Sequence, residues 1–268
     1  MPTVRSGPVI GLIAQVVLLA MLAATVGLDG AAWLSGVGFG AVTCVLLSLG
    51  VSRSGAAGLG PANRVTLSRA VLVGAVAALA VQTRHHAVPL RVLVGLVIVA
   101  LVLDGVDGQV ARRTGSVSAL GARFDMEVDA FLLLVLSIYV TWPHGAWTLA
   151  IGLMRYAFVA AMGPLPWMRR TLPPRYWRKV VAAAQGVALV VATSHVLPSS
   201  ISSLGLAGAL VLLVESFGRD VWWLWRHRVV VPEPALPEPS LVGEPAMVVG
   251  RRRTGSPAPV GAPVGHVA

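Results

Sequence analysis

Val92–Arg113 reads VLVGLVIVALVLDGVDGQVARR. No polar side chain interrupts it from Val92 to Leu103, and then Asp104 and Asp107 follow within four positions. The next apolar run, FLLLVLSIYV at Phe131–Val140, is led in by FDMEVDAF, which carries Asp125, Glu127 and Asp129. About twenty apolar residues, at a rise of ~1.5 Å each, cross the ~30 Å of hydrocarbon in a bilayer. Both runs therefore predict membrane-crossing helices. A carboxylate inside such a helix is costly and needs a partner. Five acids at the ends of two successive spans thus bear on the fold and on the chemistry together.

The rest of the chain agrees with a membrane solvent. Of 268 residues, 56% are hydrophobic and only 12% charged, against about 25% charged in soluble domains. Eight spans are expected, near 8–28, 31–51, 64–82, 89–111, 124–142, 146–163, 180–197 and 201–224, giving an all-α integral membrane protein. The first span is longer than the apolar core of a cleaved signal peptide, and a second follows it at once. From about Val229 the sequence turns into VPEPALPEPS and GSPAPVGAPVG, a Pro-rich composition expected to stay disordered. Three segments follow: two leading helices over 1–55, a helical body over 56–228, and a tail over 229–268. Cys44 is the only cysteine, so no internal disulfide forms, and it reads as a small helix-packing residue.

The formal net charge of +10 does not indicate nucleic acid, because the basic residues fall in short loops between apolar runs. That distribution suits orientation signals and anionic lipid headgroups. With the N-terminus in the cytoplasm, Arg53, Arg64, Arg112, Arg113, Arg169, Arg170, Arg175, Arg178, Lys179, Arg226 and Arg228 all lie inside. Only Arg84 and Arg91 flank an outer loop, so the positive-inside rule favours this topology. It places both acid groups at the cytoplasmic ends of their spans, in the cell membrane.

Asp104 and Asp107 are three residues apart, and Asp125 and Asp129 are four apart, so each pair shares one helix face. The connecting TGSVSALG suits a turn between antiparallel helices, and a helical hairpin would set the two pairs face to face. Carboxylates so close repel one another and resist ionisation. Divalent cations remove the difficulty, and hard oxygen donors suit magnesium, manganese or calcium rather than zinc. The plainer alternative pairs the acids with Arg112, Arg113 and Arg123 at the helix ends. Gly108 and Ala111 leave a smooth patch beside Arg112, whose planar guanidinium can meet a phosphate. Cations, a smooth patch and an arginine together suggest a pyrophosphate ligand.

Asp104-x-x-Asp107-Gly108-x-x-Ala111-Arg112, eight residues, Gly121, three residues, Asp125, three residues and Asp129 resembles, without a gap, the signature of the CDP-alcohol phosphotransferases. Pro61-Ala62-Asn63-Arg64-Val65-Thr66-Leu67-Ser68-Arg69 is similar to the start of that family's first core helix. The resemblance implies a six-helix catalytic core preceded by two extra helices. It also implies an enzyme that joins a CDP-linked alcohol, usually CDP-diacylglycerol, to an acceptor alcohol with release of CMP, in phospholipid biosynthesis. Carried over by position, Asp104, Asp107 and Asp125 are metal ligands for one or two magnesium or manganese ions. Asp129 is the general base and can touch the second ion. Gly108, Ala111 and Arg112 contact the cytidine diphosphate, with Ser118, Gly121, Asn63 and Thr66 as further nucleotide-side candidates.

The chain departs from its relatives in ways that bear on the acceptor. Ala130 follows the last Asp where phosphatidylglycerophosphate synthases often have a basic residue. Ser118-Ala119-Leu120-Gly121 lacks an Arg common in that loop, with Arg123 a turn away. Glu127 points away from Asp125 and Asp129 on an ideal helix, towards solvent or an Arg.

Other polar residues have two readings each. Arg155, inside IGLMRYAFVAAM, either pairs with Glu215 or Asp220 or binds an acceptor phosphate, as an Arg near this place does in the family. The loop MRRTLPPRYWRK and the tryptophans Trp222, Trp223 and Trp225 suit an interfacial belt, and the loop also suits an anionic acceptor. A rival in another class is a cation transporter using the same carboxylates. Transporters, however, place coupling-ion sites near the midplane on broken helices. A third reading is a family member that binds the nucleotide lipid without turnover, against which stands the full set of four Asp. A homodimer is left open.

Overall fold

Every backbone polar group inside a bilayer must be satisfied within the protein, and a chain of apolar runs solves this by folding as helices. The computed structural model describes residues 6–54, 61–114, 118–173 and 175–228. The Pro-rich segment at 229–268, expected to be disordered, lies outside the described residues. Eight α-helices appear, with no strand among the described residues. They are α1 (Ser6–Val26), α2 (Gly30–Ser54), α3 (Pro61–Gln82), α4 (Leu90–Thr114), α5 (Ala119–His144), α6 (Leu149–Ala161), α7 (Tyr176–Ser194) and α8 (Ser199–Arg226). Helices α1, α2, α3 and α8 are each long and apolar enough to cross a membrane by themselves.

The expected span at 146–163 is shorter than the sequence suggested. It opens with a 3₁₀ turn at Ala146–Thr148, and α6 itself has 13 residues, or about 20 Å. The causes are local. Gly145 takes φ +97°, a conformation glycine adopts without strain, and it ends α5 just after Pro143. At the other end Gly163 and Pro164 stop α6.

Helix α3 is the axis of the bundle and packs against α1, α2, α4 and α5. Its stretch Val73–Leu79 explains why, because Val73, Ala75, Val76, Ala77, Ala78 and Leu79 are all buried. Helix α5 is the second hub, touching α3, α6, α7 and α8, while α7 pairs with α8. Gly152 of α6 lets that helix approach closely, since a Cβ there would come within 2.5 Å of Leu134 Cα on α5.

The two leading helices are fastened to α3 at several levels. Leu19 and Ala78 bury each other at Gly36, where a Cβ would lie 2.8 Å from Leu19. Gln15 of α1 is buried against Gly74 of α3. Near the far end Asp29 Oδ1 accepts from the Ala32 amide at 2.7 Å, capping the start of α2. The Asp29 amide donates to Gln82 Oε1 on α3 at 2.8 Å. These contacts join an apolar hairpin to the bundle through small residues and the paired Asp29 and Gln82, while the buried Gln15 Nε2 makes no hydrogen bond, in keeping with helix association by close packing in lipid.

Candidate active site

The first turns of α3 and α5 meet closely at Asn63 and Gly121. Ser118 caps α5 with extended backbone (φ −133°, ψ 150°), its hydroxyl accepting from the Gly121 amide at 3.0 Å. A Cβ on Gly121 would fall 2.3 Å from Asn63 Oδ1, so glycine is what allows α5 to rest on α3 here. Asn63 and Thr66 are both buried on α3. The described contacts of Ser118, Gly121 and Asn63 thus set the position of α5. Gly108 is half-buried on α4. The side chains of Asp107, Ala111 and Arg112 lie outside the described residues.

Three of the predicted acids come together. Asp104 from α4 and Asp125 and Asp129 from α5 each offer a carboxylate oxygen, and these oxygens lie within 4.8 Å of one another. The helices do not achieve this as a tight two-helix hairpin. Among the described residues α3 packs extensively on both α4 and α5 and brings them together. The cation among the acids also comes from α3. Arg69 Nη1 binds Asp104 Oδ1, and Arg69 Nη2 binds Asp125 Oδ1 and reaches Asp129 Oδ1 at 3.1 Å. Nη2 also donates to the Asp125 carbonyl at 3.3 Å.

Arg69 was not singled out from the sequence as a site residue, yet a signal existed. It is the last charge of α3 before the apolar stretch Ala70–Ala80, two turns inside the helix and at the same end of the bundle as the acids, and such a charge needs a partner. Arg113 and Arg123 make no ion pair with the acids among the described residues, so the plainer alternative that pairs the acids with these arginines gains no support from them.

Exposure shows how the site is arranged. Arg69 is 1% exposed, whereas the side chains of Asp104, Asp125 and Asp129 are 43%, 35% and 41% exposed. The guanidinium holds the acids from behind and leaves carboxylate oxygens facing outward. Several hard oxygen donors lying together, with oxygens open on the side away from Arg69, fit a divalent cation of the magnesium or manganese type.

Arg155 lies elsewhere. It pairs with Glu127, and among the described residues not with Glu215 or Asp220, the partners that one of its two readings offered. Asp220 instead receives Arg178 through Nε at 2.8 Å and Nη2 at 2.9 Å. Glu215 pairs with Arg219 one turn on and accepts from Trp177 Nε1 at 3.0 Å. Helical period explains the first difference, because residue 127 sits about 160–200° around α5 from residues 125 and 129. Glu127 therefore faces α6, and Arg155 of α6 is the cation it meets. The expectation that Glu127 is an Arg partner holds.

The family model for CDP-alcohol phosphatidyltransferases matches residues 59–217, more than half of the chain. The protein belongs to that family. No curated protein and no solved structure gives a significant match. The matched stretch opens beside α3 and ends within α8, so α1 and α2 fall outside it. This CDP-alcohol phosphatidyltransferase family member is thus an all-α membrane protein with Asp104, Asp125, Asp129 and Arg69 all inside the matched region.

One consequence concerns the buried arginine. Arg69→Met removes the charge that lets three carboxylates coexist, and breaking a buried ion pair is strongly destabilising. The acids are partly solvated, so the expected loss is smaller, about 1–3 kcal/mol. Thermal unfolding of the purified protein in chelator checks it. The midpoint should fall in the variant, and added magnesium should raise it more than in the wild type. Equal midpoints in chelator would mean that Arg69 does not balance the acids.

Proposed function

We propose that the protein is a CDP-alcohol phosphotransferase of the cell membrane, acting in phospholipid biosynthesis with its site open to the cytoplasm. It transfers the phosphatidyl group of CDP-diacylglycerol, or of a related CDP-alcohol, to an acceptor alcohol and releases CMP. The observation that carries this reading is the convergence of Asp104, Asp125 and Asp129 within the matched region.

In this reading Asp104, Asp107, Asp125 and Asp129 hold two magnesium or manganese ions. When bound, these supply positive charge that steadies the pyrophosphate and the departing CMP. Gly108 and Ala111 leave room for the diphosphate beside α4, and Arg112 meets it with a charge-assisted fork. Asp129 takes the proton of the acceptor hydroxyl. The acceptor oxygen bonds to the phosphatidyl phosphorus as the bond to the CMP oxygen breaks, and CMP leaves with the electron pair. Ser118, Gly121 and Asn63 act by fixing the start of α5, which carries Asp125 and Asp129.

The test is acceptor-dependent lipid formation. The full chain in vesicles receives labelled CDP-diacylglycerol with glycerol phosphate, inositol phosphate or serine in parallel. Release of CMP together with a new labelled lipid, for one acceptor of the panel, is the expected result. Cation flux across the vesicle wall without CMP release would instead support the transporter reading.

A chain limited to residues 55–228 should retain CMP release, because every proposed reacting group lies on α3, α4 or α5. Its melting midpoint should drop, since the buried face of α3 loses its cover from α1 and α2. Activity and melting measured in the same detergent check both halves. A folded but inactive shortened chain would put the leading helices inside the catalytic unit.

A further inference from the structure

The face of α5 turned away from the acids borders an apolar groove of about 670 Å³ between α2 and α5. That size lies within the ~300–1,000 Å³ typical of small-ligand pockets. Leu34, Val42 and Leu46 of α2 line it, and they are 74%, 58% and 61% exposed. No other described helix covers them, so on an apolar helix of this length they face lipid tails. One end of the groove differs from the rest. There Arg123, Glu127 and Tyr156 line it, and Arg155 joins through its pair with Glu127.

With Arg155 neutralising Glu127, this end keeps one net positive charge. Arg123 has no ion pair among the described residues, and Arg155 Nε is buried without a hydrogen-bond partner. From Arg123 to Phe131 α5 rises about 12 Å. At Ser35 and Phe131 the groove meets a second one of about 660 Å³, which continues along α5 to Trp142. An acyl chain of ordinary length has room along this track.

We infer that the α2–α5 groove is a binding site for an anionic phospholipid of the bilayer, with its phosphate at Arg123 and one acyl chain lying along Val42 and Phe131. The charge at the mouth selects an anion, and the apolar wall at hydrocarbon depth selects a lipid over a soluble phosphate. Because α2 lies outside the matched region, one wall of the site is supplied by this chain's added helices, while its charged end lies on α5 and α6. It is separate from the acid cluster, which occupies the opposite face of α5, and it does not depend on the proposed reaction.

The experiment uses the full chain in phosphatidylcholine vesicles carrying a trace of phospholipid with a photoreactive group in mid-chain. The phosphatidylglycerol and phosphatidylcholine forms of the probe are compared by mapping labelled peptides. Label should concentrate on the α2 and α5 segments around Phe39, Val42 and Phe131. The anionic probe should exceed the zwitterionic one about fivefold, the ratio expected of one basic residue at an anionic headgroup. Arg123→Gln should remove that preference. Gly38→Leu should remove label from both probes, since a Cβ at Gly38 meets nothing within 4 Å and the larger side chain fills the groove. On the wild-type protein, unlabelled phosphatidylglycerol should compete and unlabelled phosphatidylcholine should not. Equal labelling by the two probes, label spread evenly over α1 and α8, or label untouched by Gly38→Leu would each overturn the inference. CMP release is not read, so failure of the enzymatic assignment leaves this result standing.

Discussion

Turnover should vanish in excess chelator and return on adding magnesium or manganese. Three carboxylates with oxygens inside 4.8 Å repel one another unless cations accompany them. Arg69 supplies one positive charge from the buried side. A pyrophosphate arriving on the open side adds further negative charge, which one arginine cannot offset. Divalent ions can, and the hard oxygen donors suit magnesium and manganese better than softer metals. CMP release from CDP-diacylglycerol, followed across a chelator titration and then a back-titration with each ion, gives the answer. Full turnover in excess chelator would remove the metal role.

The second large effect separates base from ligand. Asp129→Asn should reduce turnover by about 10² to 10⁴, the usual cost of losing a general base, while leaving binding of the CDP-alcohol nearly intact. In the proposed reading Asp104, Asp107 and Asp125 remain to hold the ions, and Arg69 keeps its bonds to Asp104 and Asp125. Asp107→Asn should weaken metal and nucleotide binding together, since the pyrophosphate is held through the cation. A labelled CDP-alcohol bound over a magnesium titration, measured beside CMP release, distinguishes the two. If the Asp129 variant loses metal affinity as badly as the Asp107 variant, then Asp129 is chiefly a ligand. The proton must then leave by water or by the acceptor's own phosphate.

Much of this site was legible because helical period converts sequence spacing directly into shared faces. Asp125 and Asp129 had to look the same way, Glu127 had to look elsewhere, and acids heading two apolar runs had to lie at one end of the bundle. The helices of the bundle were legible for the same kind of reason, since apolar length alone predicts a span. What escaped depends on which helix lies beside which. Arg69 closes the mixed stretch NRVTLSR at 63–69, and its role appears only when α3 is seen packing on both α4 and α5. Arg155 had acids available on α5 and on α8, and spacing along one helix cannot choose between partners on others. The shortening of α6 was written in Pro143, Gly145 and Gly163-Pro164, but a window averaged over about nineteen residues smooths such signals away.

Helix α3 is held by polar contacts near both of its ends. Arg69 engages the acids at one end, and Gln82, thirteen residues on, receives the Asp29 amide at the other. Those residues are about 20 Å apart along the helix axis. Sliding α3 by a single turn, ~5.4 Å, would break both attachments at once, so a piston-like stroke of this helix is closed to the protein. Rotation about its own axis would also pull Arg69 out of the acids. The helix therefore serves as the fixed post of the machine. Because the partners of Arg69 sit on α4 and α5, a movement at this end of the bundle that keeps those contacts must carry α3, α4 and α5 together.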